Sequence, residues 1–369
     1  MWLTSSLTTV LTPTAVALGN FDGIHRGHQQ VIQPILPELE VKSSLAIFHP
    51  EKIRSTEDKK FLDSSVVSYG EYTDKITVSE RPYSTVVTFN PHPREFFTGQ
   101  TRSLLTPIEE KVNQLHLLGV EQLVMLPFNR SLADLSPHEF VEQIVVGHLK
   151  AKRVSIGQDF CFGHRRSGTS TDLQAIAAQY NVEVIIVPIH NSQGERISSS
   201  AIREALASGN IEAANRMLGR SYTLKGLVVK GQQLGRTLGF PTANLEIPSD
   251  KLLPRLGVYA VRVLLEQQPA MGESGCPKAA QEWQAGVMNI GYRPTINGTC
   301  LTVEVHLLDW SGDLYGKALT LSLEKFLRPE QKFSSIEDLK QQIQNDCIAA
   351  RISFDREITN SELGINDRT

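Results

Sequence analysis

The stretch AVALGNFDGIHRGH, residues 15–28, decides the fold of the first half of the chain. It joins an apolar run to a glycine-bearing turn, and two histidines follow at once. The apolar run predicts a buried strand, and the residues after it predict a helix that begins near Arg26. The free N–H groups at the start of such a helix favour a phosphate, which His25 and His28 would flank. Gly27 has no side chain and would let the phosphate-bearing ligand approach the backbone.

Two other interpretations of the histidine pair stay open. A metal site would use both imidazoles, but no glutamate lies between them as in H-E-x-x-H, and no cysteine is near. Ordinary surface histidines would be the default for H-x-x-H taken alone. The glycine-bearing turn directly after an apolar run favours the phosphate site over both.

The rest of the first half alternates helix and strand signals, which predicts a parallel sheet. The segments 106–109 and 136–139 each combine a capping residue, a proline and a glutamate, and each predicts a helix start. Short apolar runs predict buried strands at 122–128, 153–156 and 182–189. In a Rossmann-like α/β domain of this kind, the turns after the strands meet at one edge of the sheet. We expect Gly19, Asn90 and Asp159 at that edge.

Composition is that of an ordinary globular enzyme. The 369 residues, 40% of them hydrophobic, predict two domains, and a net charge of −3 gives no reason to expect binding of nucleic acid or anionic lipid. The four cysteines are widely spaced, which argues against a zinc knuckle or a disulfide framework and favours the cytoplasm. Neither a signal peptide nor a membrane span is expected.

The pattern of the sequence changes from alternating helix and strand signals to mainly strand signals after Gly219. Short alternating runs bounded by Gly, Pro and Asn predict five or six antiparallel strands that close into a small barrel, at 224–230, 258–265, 283–290, 301–308 and 318–326. A last helix is expected to begin at a capping box of Ser334 and Glu337. Its buried stripe is predicted to hold Ile336, Leu339, Ile343 and Cys347.

These signals divide the chain into a first domain at 1–218, a second at 219–353 and a tail at 354–369. Within the first domain, the polar and charge-mixed segment 50–84 is predicted to be an insertion that is either disordered or a surface lobe, with a regulatory or partner contact as the alternative. The segment 267–282 is predicted to be a long hairpin loop.

Motifs along nearly the whole chain resemble one family. G-x-F-D-G-x-H-x-G-H at 19–28 is similar to the signature of nucleotidyltransferases that transfer AMP from ATP. TFNPHP at 88–93, GQDFCFG at 157–163 and ISSSAIR at 197–203 resemble blocks of bacterial FAD synthetases. GRTLGFPTAN, VMNIGYRPT, VEVHLLD and LRPEQKF, between 235 and 333, resemble a riboflavin kinase. Together they resemble the bifunctional riboflavin kinase/FAD synthetase family.

In the first domain, the resemblance implies a site for AMP transfer from ATP to FMN. His25, His28 and Arg203 would neutralise phosphate charge. Asn90, Pro91, Asp159 and Phe160 would meet the flavin or its phosphate, although family members commonly carry Asp at the position of Asn90 and often Asn at that of Asp159. The remaining contacts to ATP are predicted at Gly19, Phe21, Asp22, Gly27, Ser199 and Ser200.

In the second domain, the sequence has no P-loop. A loop with Gly231, Gly235 and Arg236 would cover the phosphates of ATP instead. Extended backbone puts Thr242 and Asn244 on one face, and neutral oxygens of this kind suit Mg²⁺, although a turn with local hydrogen bonds is the alternative.

Glu304 is the candidate base of the second domain, because alternation sends Thr302, Glu304 and His306 to one face of a strand. A solvent-facing strand is its alternative. By resemblance Arg328 would lie near the phosphates, and a surface charge is its alternative.

The sequence therefore predicts an enzyme that phosphorylates riboflavin to FMN in the second domain and adenylylates FMN to FAD in the first. MgATP would serve both steps, and the flavins would be substrates and products; protein partners are not predicted. A kinase with a degenerate first domain and a non-catalytic flavin-binding protein remain as alternatives.

Overall fold

The computed structural model describes residues 1–37, 81–192, 195–231, 234–265, 283–295 and 298–362. The predicted hairpin loop at 267–282 lies outside these residues. The predicted insertion also does, except for 81–84, of which 83 and 84 already belong to a strand.

The first domain is built on a six-stranded parallel sheet in the order β1-β4-β3-β2-β5-β8. Its strands are β1 (Trp2–Thr4), β2 (Thr14–Leu18), β3 (Tyr83–Asn90), β4 (Gln122–Pro127), β5 (Ala151–Gly157) and β8 (Glu183–Val187). Short two-stranded ribbons are formed by β6 (Cys161–Phe162) with β7 (Gly168–Thr169), and by β9 (Asn191–Ser192) with β10 (Glu195–Arg196). The predicted parallel sheet is thereby confirmed.

Helices cover both faces of this sheet. They are α1 (Arg26–Ile32), α2 (Pro93–Thr98), α3 (Ile108–Leu117), α4 (Arg130–Ala133), α5 (Pro137–Glu139), α6 (Ser170–Ala178), α7 (Ser199–Ser208) and α8 (Ile211–Leu218). A π-helix, Phe140–His148, continues α5, and 3₁₀ turns lie at Leu7–Thr9, Gln33–Ile35 and His164–Arg166. Two apolar clusters, one on each face of β2, form the core.

One of the two predicted caps is wrong. Ser136 and Glu139 form the expected capping box at α5. At α3 the cap residue is Pro107, one position later than predicted, and the helix has no side-chain cap. The Thr106 hydroxyl accepts instead from the backbone N–H of Gly23, at 2.9 Å. The Thr106 hydroxyl therefore makes a tertiary hydrogen bond and does not cap the helix.

The second domain is a closed antiparallel barrel in the order β11-β12-β15-β14-β13-β16. Its strands are β11 (Tyr222–Val229), β12 (Ala243–Glu246), β13 (Gly257–Leu265), β14 (Trp283–Thr295), β15 (Gly298–Leu307) and β16 (Ala318–Arg328). A short helix, α9 (Leu234–Leu238), precedes β12. The predicted barrel is confirmed, with six strands.

The terminal helix α10 (Ile336–Glu362) packs on the outside of the barrel. Two details of its prediction are wrong. The backbone N–H of Asp338 donates to Ser335 Oγ at 3.1 Å, so the cap lies one residue later than Ser334. Ile336, the first residue of the helix, is 58% exposed and does not belong to the buried stripe. The predicted tail is helical as far as Glu362.

A third apolar cluster joins the two domains. It contains Ile202, Leu206 and Leu218 of the first-domain helices together with Tyr222 and Val261 of the barrel. Within the described residues, no helix is long and apolar enough to cross a membrane.

Candidate active sites

The turn after β2 is held in an unusual backbone conformation. Phe21 and Ile24 have φ of 47° and 42°, in the left-handed region that bulky side chains rarely adopt. Both side chains are buried at 1% exposure, so packing holds the turn in this shape. We call residues 19–25 the phosphate turn.

Asp22 anchors the phosphate turn through a buried network. Its Oδ1 accepts from the backbone N–H groups of Leu105 and Thr106, at 2.8 and 3.3 Å, and its Oδ2 accepts from Arg203 Nη2 at 2.5 Å. Its backbone oxygen accepts from Ser199 Oγ at 2.7 Å. The structure thus brings together three predicted site residues and a segment, 103–106, that the sequence did not assign to the site.

The two histidines lie against each other at the start of α1. His25 caps this helix, because its Nδ1 accepts from the backbone N–H of His28 at 3.2 Å. An acceptor Nδ1 places the proton of the neutral ring on Nε2, where it can be donated to a ligand. The Nδ1 atom of His28 is buried with no hydrogen-bond partner among the described residues.

Burial keeps both rings uncharged. It lowers the pKa of His25 from 6.5 to about 4, with Arg220 adding to the decrease and Asp22 opposing it. Burial also lowers the pKa of His28, and His25 and Lys111 add to that decrease. The pair therefore offers neutral N–H donors near neutral pH.

Two cations at this site were not predicted. Lys111 is buried, and its Nζ donates to the backbone oxygen of Asn20 at 3.1 Å. Burial lowers the pKa of Lys111 while Asp22 opposes the decrease. Arg220 donates to the backbone oxygens of Gly23 and Ile24, at 2.8 and 3.2 Å. Both contacts join residues far apart in the chain, so no local sequence pattern predicts them.

The predicted flavin contacts lie at the carboxyl ends of the strands. Asn90 ends β3 and is exposed, and the Asn90–Pro91 peptide bond is cis. Asp159, which follows β5, forms an ion pair with Arg196 and contributes to the electrostatic field at His25. Phe160 instead stacks on Phe162, with ring centroids 5.9 Å apart, and packs against the core.

The remaining predicted contacts to ATP line the phosphate turn on different sides. A side-chain carbon at Gly27 would lie 3.3 Å from the His25 ring, a tight approach that would make the ring shift by a few tenths of an ångström. Gly19 lies against the Phe21 ring, which is 5.2 Å from the ring of His28. Ser200 lies in the first turn of α7 and is exposed.

A polar row crosses three strands on the outer face of the barrel. Glu304 of β15 pairs with Asn244 of β12 on one side and with Asn289 of β14 on the other. The neighbouring Val303 and Val305 point into the barrel and are buried, as the alternation predicts. Asn289 was not singled out, although it lies in the motif VMNIGYRPT.

The loop between β11 and β12 packs on this row. A side chain at Gly231 would collide with the Asn244 amide, and one at Gly235 would collide with the backbone oxygen of Phe240. Gly235 also lies near the Thr242 hydroxyl, 3.1 Å from the place of a side-chain carbon. The two predicted metal ligands therefore lie directly beneath the predicted phosphate loop. Arg236, on α9, is exposed.

Arg328 has a partner that the sequence did not suggest. Its guanidinium binds the Asp346 carboxylate of α10, with Nη2 to Oδ2 at 2.8 Å and Nε to Oδ1 at 2.9 Å. The Arg328 and Asp346 side chains are 17% and 6% exposed. In this structure Arg328 joins the barrel to its terminal helix.

A metal held by protein side chains alone finds little support. Among the described residues, no three His, Cys, Asp or Glu side chains form a group that could bind a metal ion. The side-chain oxygens of Thr242 and of Asn244, which pairs with Glu304, would suit an Mg²⁺ ion that is also bound to phosphate and water, as the predicted ATP site requires.

Comparisons with known proteins agree with the two-domain architecture. A family model described as FAD synthetase matches residues 7–63 and 71–201, and one described as riboflavin kinase matches residues 218–354. Residues 64–70 separate the two matched stretches of the first model. The longer insertion at 50–84 and the domain bounds stay predictions.

Similar proteins match over most of their length. The bifunctional riboflavin kinase/FMN adenylyltransferase of Escherichia coli K12 is 35% identical over 340 residues, 92% of each chain. The protein of the same name from Bacillus subtilis is 33% identical over 342 residues, 90% of each chain. The crystal structure of a macrolide-efflux protein from Streptococcus pneumoniae aligns with a TM-score of 0.72 at 26% identity, covering 95% of this chain and 98% of that one.

Proposed function

Because the chain belongs to the bifunctional riboflavin kinase/FMN adenylyltransferase family, we propose that it makes FMN from riboflavin and then FAD from FMN, with one ATP consumed in each step. The observation that carries this proposal is that each domain holds its own cluster of reactive side chains. The stacked His25 and His28 lie in the first domain, and the row around Glu304 lies in the second.

In the first domain, a phosphate oxygen of FMN attacks the α-phosphorus of ATP, and the bond to the leaving pyrophosphate breaks. No covalent protein intermediate is needed. The neutral His25 ring, with its proton on Nε2, donates to phosphate oxygens as charge builds up on them. Asp22 and Arg203 keep the phosphate turn in place beside them. Asn90 and Asp159, at the carboxyl ends of β3 and β5, hold the flavin substrate.

In the second domain, the terminal ribityl hydroxyl of riboflavin attacks the γ-phosphorus of ATP, and ADP leaves. Glu304 takes the proton of this hydroxyl. Its strand position fixes the carboxylate between Asn244 and Asn289. The loop carrying Gly231 and Gly235 covers the phosphates.

Thr242 and Asn244 are the residues that would hold Mg²⁺ in the second domain. The ion would supply positive charge that neutralises the phosphates of ATP. We place both reactions in the cytoplasm, where thiols such as those of Cys161 and Cys347, which are free in this structure, stay reduced.

The proposal is tested by incubating the purified chain with riboflavin, ATP and Mg²⁺ and separating the flavins by chromatography over time. We expect FMN to rise before FAD. His28→Ala should stop at FMN, and Glu304→Ala should leave riboflavin unconverted while still turning added FMN into FAD. His148→Ala and Glu337→Ala, which change exposed side chains on helices that carry neither site, are the matched controls.

Other outcomes would replace the proposal. FMN without FAD from the unmodified chain would leave a riboflavin kinase with a degenerate first domain. Flavin binding with no conversion at all would indicate a non-catalytic flavin-binding protein.

A further inference from the structure

The segment Ser103–Thr106 of the first domain is hydrogen-bonded on two sides. Toward the phosphate turn, the N–H of Leu105 donates to Asp22 at 2.8 Å and the Thr106 hydroxyl accepts from Gly23 at 2.9 Å. Its Ser103 oxygen also accepts from Arg203 at 2.8 Å. We call this segment the shared loop.

On its other side, the shared loop binds the second domain. Leu104 pairs with Lys251 in a parallel β-bridge. The backbone N–H of Leu104 donates to the oxygen of Asp250 at 2.5 Å, and the N–H of Leu252 donates to the oxygen of Leu104 at 2.8 Å. The segment 250–252 thus acts as a short partner strand for a loop of the other domain.

Lys251 secures this contact with a buried ammonium. Its Nζ donates to the backbone oxygen of Leu105 at 2.8 Å and to Glu110 Oε2 at 2.5 Å, and it lies 4.4 Å from the centre of the Tyr222 ring. Only 1% of the Lys251 side chain is exposed. The backbone oxygen of Leu105 therefore accepts a hydrogen bond from Lys251 of the second domain, and the N–H of Leu105 donates one to Asp22 of the phosphate turn.

We infer that Lys251 is a positioning residue for adenylyl transfer, although it belongs to the kinase domain. It reaches no reacting atom in this arrangement. It fixes the shared loop, and the shared loop fixes Asp22 and Gly23, on which the placement of His25 depends. This inference rests on the proposed function of the first domain. If it holds, the geometry of the adenylylation site depends on residues of both domains.

A loosened loop should misplace the histidines more than the flavin contacts. Asn90 and Asp159 lie on other elements, at the ends of β3 and β5. Because transition-state donors are sensitive to small displacements, loss of Lys251 should lower kcat for FMN adenylylation more than it raises KM for FMN. The proposed kinase site lies on β12, β14 and β15 of the barrel, and riboflavin kinase activity should not change.

The test uses two variants of the full-length chain. Lys251→Met/Glu110→Gln removes the ammonium without leaving a buried carboxylate charge unpaired. Glu110→Gln alone is the matched control, because Lys251 can still donate to Leu105 and to the amide oxygen. Both activities are measured at saturating ATP, and urea unfolding reports whether each variant is folded.

We expect the double variant to lose at least about ten-fold in kcat for adenylylation, with KM for FMN and the kinase kcat within about two-fold of the unmodified chain. The control should stay within about two-fold in both activities. Unchanged adenylylation in a folded double variant would overturn the inference, and so would an equal loss of both activities. Failure of the unmodified chain to make FAD would instead refute the proposed function.

A folding failure of the double variant would not end the test. Lys251→Arg keeps a buried cation and donors for Leu105 and Glu110, and it should retain more adenylylation than Lys251→Met at equal folded fraction. Equal activities of these two single variants would contradict a positioning role.

Discussion

The imidazole rings of His25 and His28 are stacked, with their centroids 3.6 Å apart and their planes inclined by 15°. This contact is favourable only while the rings are uncharged, because two adjacent imidazolium ions repel each other. The stacked arrangement agrees with the low pKa of His25, about 4, and with the lowered pKa of His28.

The first prediction concerns stability in acid. In the unfolded chain His25 takes up a proton near its ordinary pKa of 6.5, whereas in the folded chain it stays neutral until about pH 4. The free energy of unfolding is therefore highest above pH 6.5 and decreases as the pH falls toward 4. This one ring accounts for a decrease of about 3 kcal/mol. Urea unfolding at pH 7 and pH 4.5 measures it. His25→Asn, which keeps a capping oxygen, should lose less stability over the same range.

The second prediction concerns the phosphate loop of the kinase domain. Gly231→Ala should lower riboflavin kinase activity at least about ten-fold, because the added carbon collides with the Asn244 amide and displaces this proposed metal ligand. Adenylylation of added FMN should not change. The kinase rate as a function of Mg²⁺ concentration is the measurement, and the exposed neighbour Lys230→Ala is the control. Normal kinase activity in Gly231→Ala would show that the loop does not press on Asn244 during turnover.

The third prediction concerns the side-chain hydroxyl at position 106. Thr106→Val leaves the buried N–H of Gly23 without its acceptor, at a cost of about 1–3 kcal/mol, and should slow adenylylation. Thr106→Ser retains the hydroxyl and should behave nearly as the unmodified chain does. FAD formation from FMN distinguishes the two variants. Equal rates would mean that this hydrogen bond does not hold the phosphate turn.

The fourth prediction concerns the barrel and its terminal helix. Asp346→Ala leaves the Arg328 guanidinium partly buried without its carboxylate, and the free energy of unfolding should fall by about 3–5 kcal/mol. Arg351→Ala, which breaks an exposed pair with Asp309, should cost less than about 1 kcal/mol. Denaturant titration compares them. A small effect of Asp346→Ala would leave Arg328 free for the phosphate role that its motif suggests.

The sequence predicted those features that depend on neighbouring residues. The apolar run before Gly19 indicated β2, and the alternation around Glu304 placed this carboxylate opposite the buried valines. Both follow from the periodicity of a strand, which a single segment reveals.

Features that depend on distant residues were not predicted. Lys111 contacts a residue 91 positions away, and Lys251 contacts one 146 positions away. Nothing local distinguishes either lysine from a surface charge. The misplaced cap at Thr106 has the same origin, since its hydroxyl serves a residue 83 positions earlier.

The apolar cluster that joins α7 and α8 to the barrel bears on how this chain can be divided. Ile202, Leu206 and Leu218 are each at most 1% exposed, and they share one core with Tyr222 and Val261. A cut at the sequence boundary near 218 would expose apolar surface on both fragments. Each fragment alone would then be prone to aggregate, so each half of the chain covers apolar surface that the other would otherwise expose to water.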